Sequence, residues 1–196
     1  MGFLADKTVF SSLTQKVLEE SEKFSCGDED LDGFFYDDAV SYAKNLFGKS
    51  YCYTTGENTT EIVCAFTVAN ASIFTKYLPN ARKKKVGKLV PHIKQELIYP
   101  AVLIGRLGIS TKYQHLHLGS EVLDFIKAWF IDPYNKTGCR YLVVDAYNEK
   151  IPVAFYKKNG FDFMFSTEEQ EKSYRGIVSD MPLKTRLMFF DLIIIK

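Results

Sequence analysis

Leu103-Ile104-Gly105-Arg106-Leu107-Gly108-Ile109 runs as an apolar strand into Ser110-Thr111-Lys112-Tyr113-Gln114-His115-Leu116-His117-Leu118-Gly119-Ser120, a glutamine-led loop that opens a helix. At such a junction the first helical N–H groups lack intrahelical partners and lie at the positive end of the macrodipole, so the loop suits an anion such as a pyrophosphate. Downstream, the stretch from Tyr147 to Phe161 carries Asn148 and Tyr156. A tyrosine phenol, with a reference pKa of about 10, stays protonated at neutral pH and can donate a proton. His115 and His117 form an H-x-H pair, but no carboxylate or thiol converges on them in the sequence, and no metal is expected. On these residues alone the plain readings stay open: Gln114 and Gly119 also suit an ordinary helix start, and Tyr156 a packed aromatic.

A third group is cationic. From Lys76 to Gln95 there is no acidic residue, while Lys76, Arg82, Lys83, Lys84, Lys85, Lys88 and Lys94 all fall inside. A solvated surface is the plain reading of such a run; contact of Arg82, Lys83, Lys84 and Lys85 with an anionic substrate is the functional one. His92 carries no signal of its own, and Glu96 reads as a surface carboxylate or a base.

The elements that position these residues follow from periodicity. Leu31, Phe34, Phe35, Tyr42 and Leu46 recur at helical spacing over about 29–46, before Gly48. Strands are expected at 50–55 and 61–70, joined at Gly56-Glu57-Asn58-Thr59, and Pro79, Pro91 and Pro100 punctuate a partly helical excursion. The run 101–109 suits a central strand, and a helix over about 118–131 buries Leu118, Val122, Phe125, Ile126 and Trp129 before Asp132-Pro133. A strand at 140–146, a helix at 150–159 stopped by Gly160, a strand at 161–165, a polar stretch at 166–182 and a strand at 187–195 complete the chain.

With 196 residues, the chain reads as one domain, 1–196. Basic and acidic residues number 25 and 24, a net charge of +1, which excludes a polycation. Without a leader or a membrane-length apolar run, the expectation is a cytoplasmic protein with no membrane partner, its four cysteines reduced.

Together, the loop and Asn148…Phe155-Tyr156-x-x-x-Gly160-Phe161 resemble the two signatures of the GNAT superfamily of N-acetyltransferases, Q/R-x-x-G-x-G/A and Asn…Phe-Tyr-x-x-x-Gly-Phe. The resemblance implies an α/β (α+β) fold with a mixed, mostly antiparallel sheet flanked by helices. It also implies acetyl-CoA as co-substrate, with direct acetyl transfer to a primary amine and no metal. The pyrophosphate would lie on the backbone of His115, Leu116, His117, Leu118, Gly119 and Ser120, behind Gln114. The pantetheine amides would pair with the strand edge at Leu107, Gly108 and Ile109, with an N–H near Leu107 facing the developing oxyanion. Asn148 would belong to the cofactor site, and Tyr156 would protonate the departing thiolate. The chain departs from the pattern in two places. His117 stands where the loop has its first glycine, and Asn148 lies one residue further from Tyr156 than the commonest spacing, with Pro152 between.

Phe24-Ser25-Cys26-Gly27, Leu31-Asp32-Gly33-Phe34 and Gly105-Arg106-Leu107-Gly108-Ile109 are similar to segments of the toxin-antitoxin branch. Those enzymes acetylate the α-amine of charged tRNA. The acceptor, a homodimer and an antitoxin partner stay open in the sequence, as do two alternatives: an acyl-CoA-binding module without catalysis, and an acetyltransferase for a small-molecule or protein amine.

Overall fold

Phe10, Tyr53 and Phe125 pack as one tilted aromatic cluster, with Phe10 5.2 Å from Tyr53 and 4.7 Å from Phe125 between ring centroids. The computed structural model that shows this describes residues 2–56, 60–91 and 98–196; His92, Lys94, Glu96 and most of the expected turn at 56–59 lie outside them. The chain falls into two compact units, Met1–Ala69 with Ile104–Ile126, and Asn70–Leu103 with Lys127–Lys196.

In the first unit, β1 (Val9–Ser12), β2 (Lys49–Thr55) and the start of β3 (Glu61–Phe74) pair antiparallel, with Phe10 opposite Tyr53 and Tyr51 opposite Phe66. Short helices α1 (Phe3–Lys7) and α2 (Gln15–Glu20) flank β1, a region for which the sequence carries no clear periodicity. The helix expected over 29–46 is present but broken: α3 (Glu29–Gly33) passes through a π turn, Phe34–Asp38, into α4 (Ala39–Lys44). The Ala39 N–H donates to the Phe34 carbonyl. The extra residue in that turn shifts the helical face, so Phe35 is 1% exposed and Phe34 packs edge-on against it at 5.6 Å. Leu46, at φ 62°, ends the helix before Gly48. Leu13, Phe24, Phe35, Ala39, Cys52, Ile62 and Ala65 form the core here.

In the second unit, β5 (Tyr141–Tyr147) and β7 (Thr185–Asp191) pair antiparallel along their whole length, and β6 (Asp162–Phe163) adds to β7. Helices α5 (Asn80–Val86), α7 (Lys150–Lys158) and α8 (Glu168–Arg175) accompany them. Tyr141, Val143, Met164, Phe165 and Phe189 pack with Ile73, Leu78 and Val86, and the Tyr141 hydroxyl donates to the Val86 carbonyl at 2.7 Å. Two differences from the sequence reading have local causes. Helix α8 sits inside the polar stretch, its Thr167 side chain accepting from the Gln170 N–H and Gly176 at φ 68° ending it. The last strand stops at Asp191, whose carboxylate accepts the Ile193 N–H and an Arg140 guanidinium N–H, so residues 192–195 coil into a 3₁₀ turn.

Strand β4 (Ile98–Ile109) and helix α6 (Leu118–Ile131) each contribute residues to both units. Among the described residues the sheet has seven strands in the order β1-β2-β3-β4-β5-β7-β6 and is mixed and mostly antiparallel, as expected. Gly108 in β4 is fixed by packing, because a Cβ there would stand 3.1 Å from both Cys26 Cβ and Sγ and 3.3 Å from the Phe24 ring. Gly108→Ala is therefore expected to destabilise the protein by about 1–3 kcal/mol, since the packed Cys26 and Phe24 side chains have to give way, and chemical denaturation measures it.

Candidate acyl-carrier loop and acid

After a 3₁₀ turn at Gln114–Leu116, His117 adopts φ 58° and ψ 23°, and α6 begins at Leu118. The left-handed conformation costs a residue with a Cβ about 1–2 kcal/mol, which gives a physical reason for the glycine of the signature at this place. Here a histidine holds the same turn, with its side chain exposed.

Of the six backbone donors expected at 115–120, two are used within the loop. The Leu116 N–H donates to Tyr113 at 3.1 Å and the Ser120 N–H to His117 at 3.2 Å. Leu118 and Gly119 occupy the first helical turn, where N–H groups have no intrahelical acceptor. The Gln114 side-chain Nε2 donates to the carbonyls of Cys26 at 2.7 Å and Ile109 at 3.2 Å. Gln114 thus pins the loop to the end of β4 and to the Phe24-Ser25-Cys26-Gly27 segment.

That segment is itself held. Asp32 accepts from the Ser25 hydroxyl at 2.6 Å and the Cys26 N–H at 2.7 Å, and the Thr111 N–H donates to the Ser25 carbonyl at 2.9 Å. Burial alone would raise the Asp32 carboxyl, but the bonds from Cys26 and Ser25 outweigh it and hold the group below its ordinary value. Burial, followed by the contact with Asp32, pushes the Cys26 thiol up to about 12, so it is a packing group rather than a thiolate nucleophile.

Sequence reasoning missed the charges that brace the loop. Lys112 Nζ lies 2.6 Å from Glu22 and 2.7 Å from Glu61, and the Tyr113 hydroxyl also donates to Glu61. Lys112 is thereby directed to carboxylates of its own unit. Glu121, in the first turn of α6, accepts the Phe3 N–H at 3.3 Å and the Leu4 N–H at 3.0 Å, while Phe3 packs on Tyr113 at 5.8 Å. A Lys/Glu or Phe/Tyr pairing over such sequence separations leaves no periodic trace.

Along β4, Leu107 and Ile109 are half-buried and Gly108 is buried. In the second unit, Tyr156 lies on α7, its ring 5.1 Å from Phe155 and 5.5 Å from Phe161. Its hydroxyl has no hydrogen-bond partner among the described residues, and burial pushes its pKa up from 10.0 to about 12. Asn148 is committed elsewhere: Nδ2 donates to Glu168 at 2.8 Å and to the Leu183 carbonyl at 2.9 Å, tying the end of β5 to α8. Of the basic cluster, Arg82 donates to the Ser166 hydroxyl at 2.7 Å and Lys85 pairs with Asp162. Lys84 is exposed and Lys83 half-exposed. No group of three His, Cys, Asp or Glu side chains suited to a metal ion occurs among the described residues. Nor is any helix among them long and apolar enough to cross a membrane.

Solved structures match this architecture over almost the whole chain. A tyrosine-to-phenylalanine mutant of KacT aligns with a TM-score of 0.65 at 17% identity, covering 97% of this chain and 98% of its own. The chain has the fold of KacT. AtaT in complex with acetyl-methionyl-tRNAfMet aligns at 0.64 with 21% identity, covering 96% of each chain. AtaTR bound with AcCoA aligns at 0.61 with 17% identity, covering 97% of this chain and 96% of that one. No protein-family model and no curated protein matches the sequence. At these identities the KacT and AtaT fold is what is shared, and the chemistry is argued from the residues.

Proposed function

We propose that the protein is an acetyl-CoA-dependent N-acetyltransferase that transfers acetyl directly to a primary amine, with the α-amine of aminoacyl-tRNA as acceptor. The observation that carries this reading is the left-handed turn at His117 opening α6 at the end of β4, a helix start of the kind suited to an anion, on a fold shared with an AcCoA-bound structure. Leu118 and Gly119 would hold the pyrophosphate, with the exposed His115 and His117 as further donors, and Leu107 to Ile109 would take the pantetheine amides. The amine attacks the thioester carbonyl, the C–N bond forms and the C–S bond breaks. Tyr156 supplies the proton the leaving thiolate takes up, the attacking nitrogen sheds one proton to solvent, and Tyr156 regains a proton from solvent. The tRNA complex of AtaT, the fold neighbour, supports the choice of acceptor.

Calorimetry with acetyl-CoA, and thiol release with charged tRNA against small amines, test the reading; absence of acetyl-CoA binding sinks it, and binding without thiol release for any amine leaves a carrier-binding module. Within the cluster at 82–85, Arg82 and Lys85 already have partners, which leaves Lys83 and Lys84 as its cations for phosphate. Neutralising both is expected to lower tRNA affinity and reduce the salt slope by roughly one per lost contact, with acetyl-CoA binding intact. Identical slopes for wild type and variant would return this run to solvated surface.

A further inference from the structure

Arg106 has a place in the site that neither signature assigns. It lies on β4 immediately before the Leu107–Ile109 edge, on the same strand face as Gly108, where the Phe24–Cys26 segment packs. Its guanidinium sits over the Phe34 ring, 4.8 Å from the centroid. Nη1 donates to the neighbouring Gly105 carbonyl at 3.0 Å, and Nε is buried with no acceptor among the described residues. A guanidinium offers five donors in a rigid planar fork, and a buried N–H without an acceptor is costly enough to call for an explanation. The aromatic partner is equally particular. Phe34 is the first residue of the π turn, a rare irregularity that recurs at functional sites, and edge-on contacts with Phe35 at 5.6 Å and Tyr42 at 5.7 Å fix its ring.

We propose that Arg106 and Phe34 form the acceptor subsite, which takes an α-aminoacyl group by the oxygen of the carbonyl or carboxylate beside its amine. The inference rests on the acetyltransferase reading for the direction of the chemistry. In that reading the phosphates belong to the turn at 115–120 and the reacting carbonyl to the strand at Leu107, so a donor fork at Arg106 meets the acceptor rather than the carrier. The Phe34 ring, 4.8 Å from the guanidinium carbon, covers one side of it, and Nη2, which bonds to nothing among the described residues, is the donor left for an oxygen acceptor.

The test uses the full chain with CoA present and a stable 3′-aminoacyl-amide analogue of adenosine that carries a free α-amine. Calorimetry is expected to show binding to wild type, weakened at least about tenfold in Arg106→Gln and partly restored in Arg106→Lys, the loss being that of a hydrogen bond from a charged donor. Phe34→Leu, which keeps an apolar side chain, is expected to weaken it to a smaller degree. Acetyl-CoA affinity should be unchanged in all three. In thiol-release assays the Arg106 variants should raise KM for aminoacyl-tRNA or for free amino acids while leaving simple alkylamines unaffected; whichever of the two acceptors has the higher kcat/KM in wild type identifies the source of the aminoacyl group. No binding of the analogue by wild type, equal binding by Arg106→Gln, or equal losses with alkylamines would overturn the proposal. Analogue binding that depends on Arg106, without thiol release for any amine, would keep the subsite and reject the transferase.

Discussion

If the protein is the acetyltransferase proposed above, Tyr156→Phe is expected to lower the maximal rate of acetyl transfer by about 10²-fold or more, with acetyl-CoA affinity and folding stability nearly unchanged. Each part of this expectation has a separate cause. The substitution removes only the phenolic oxygen and keeps the ring that packs against Phe155 and Phe161. The lost hydroxyl has no hydrogen-bond partner among the described residues, so no acceptor there is orphaned. Burial that holds the phenol at about 12 keeps it protonated across the neutral range, so the rate should show no alkaline limb from this group below that region. Linkage has a definite sign. A folded pKa raised above the unfolded value near 10 contributes stability that is present below pH 10 and lost as pH rises toward 12, and the phenylalanine variant lacks that dependence. Rates measured where chemistry limits turnover decide the matter, and equal values for the two proteins would pass the proton to water or another side chain.

What the sequence made legible divides along a physical line. The strand, turn and helix at β4 and α6 follow from a long apolar run meeting a sharply periodic helix, and both lie close to the expected bounds. The π turn at Phe34 did not show, because one inserted residue leaves the apolar period nearly intact while rotating the face by one position. Helix α8 is too polar for a period to emerge, although Thr167 followed three residues later by Gln170, and Gly176 beyond, were capping signals. Gln114 and Asn148 stand in the signatures as ligands, yet their amides are spent on carbonyls and a carboxylate of their own units. Residue type shows that a side chain can donate, and only the fold shows to which acceptor. Arg106 is the converse, a residue of a strand motif whose free donor appears once Phe34 is placed over it.

Glu171→Ala should give the largest loss of stability, about 3–5 kcal/mol, because it strands a buried guanidinium. The Glu171 side chain is fully buried and accepts three bonds: from Arg186 Nε at 2.8 Å, Arg175 Nη2 at 2.6 Å and the Leu187 N–H at 2.7 Å. Arg186 is 7% exposed and lies over the Phe163 ring at 4.5 Å, so its charge has little water to turn to once the carboxylate is gone. Arg175 keeps Asp145 at 2.6 Å and loses less. The same carboxylate joins α8 to β7, so its removal should loosen α8, which Asn148 also holds through Glu168. Against a typical domain stability of about 5–15 kcal/mol such a loss is readily seen in denaturant midpoints. Glu171→Leu combined with Arg186→Leu should recover much of it, since replacing both partners leaves no unpaired charge, and a double-mutant cycle gives the coupling directly. Additive losses in that cycle would show that the pair is not coupled and that α8 is held by its apolar contacts instead.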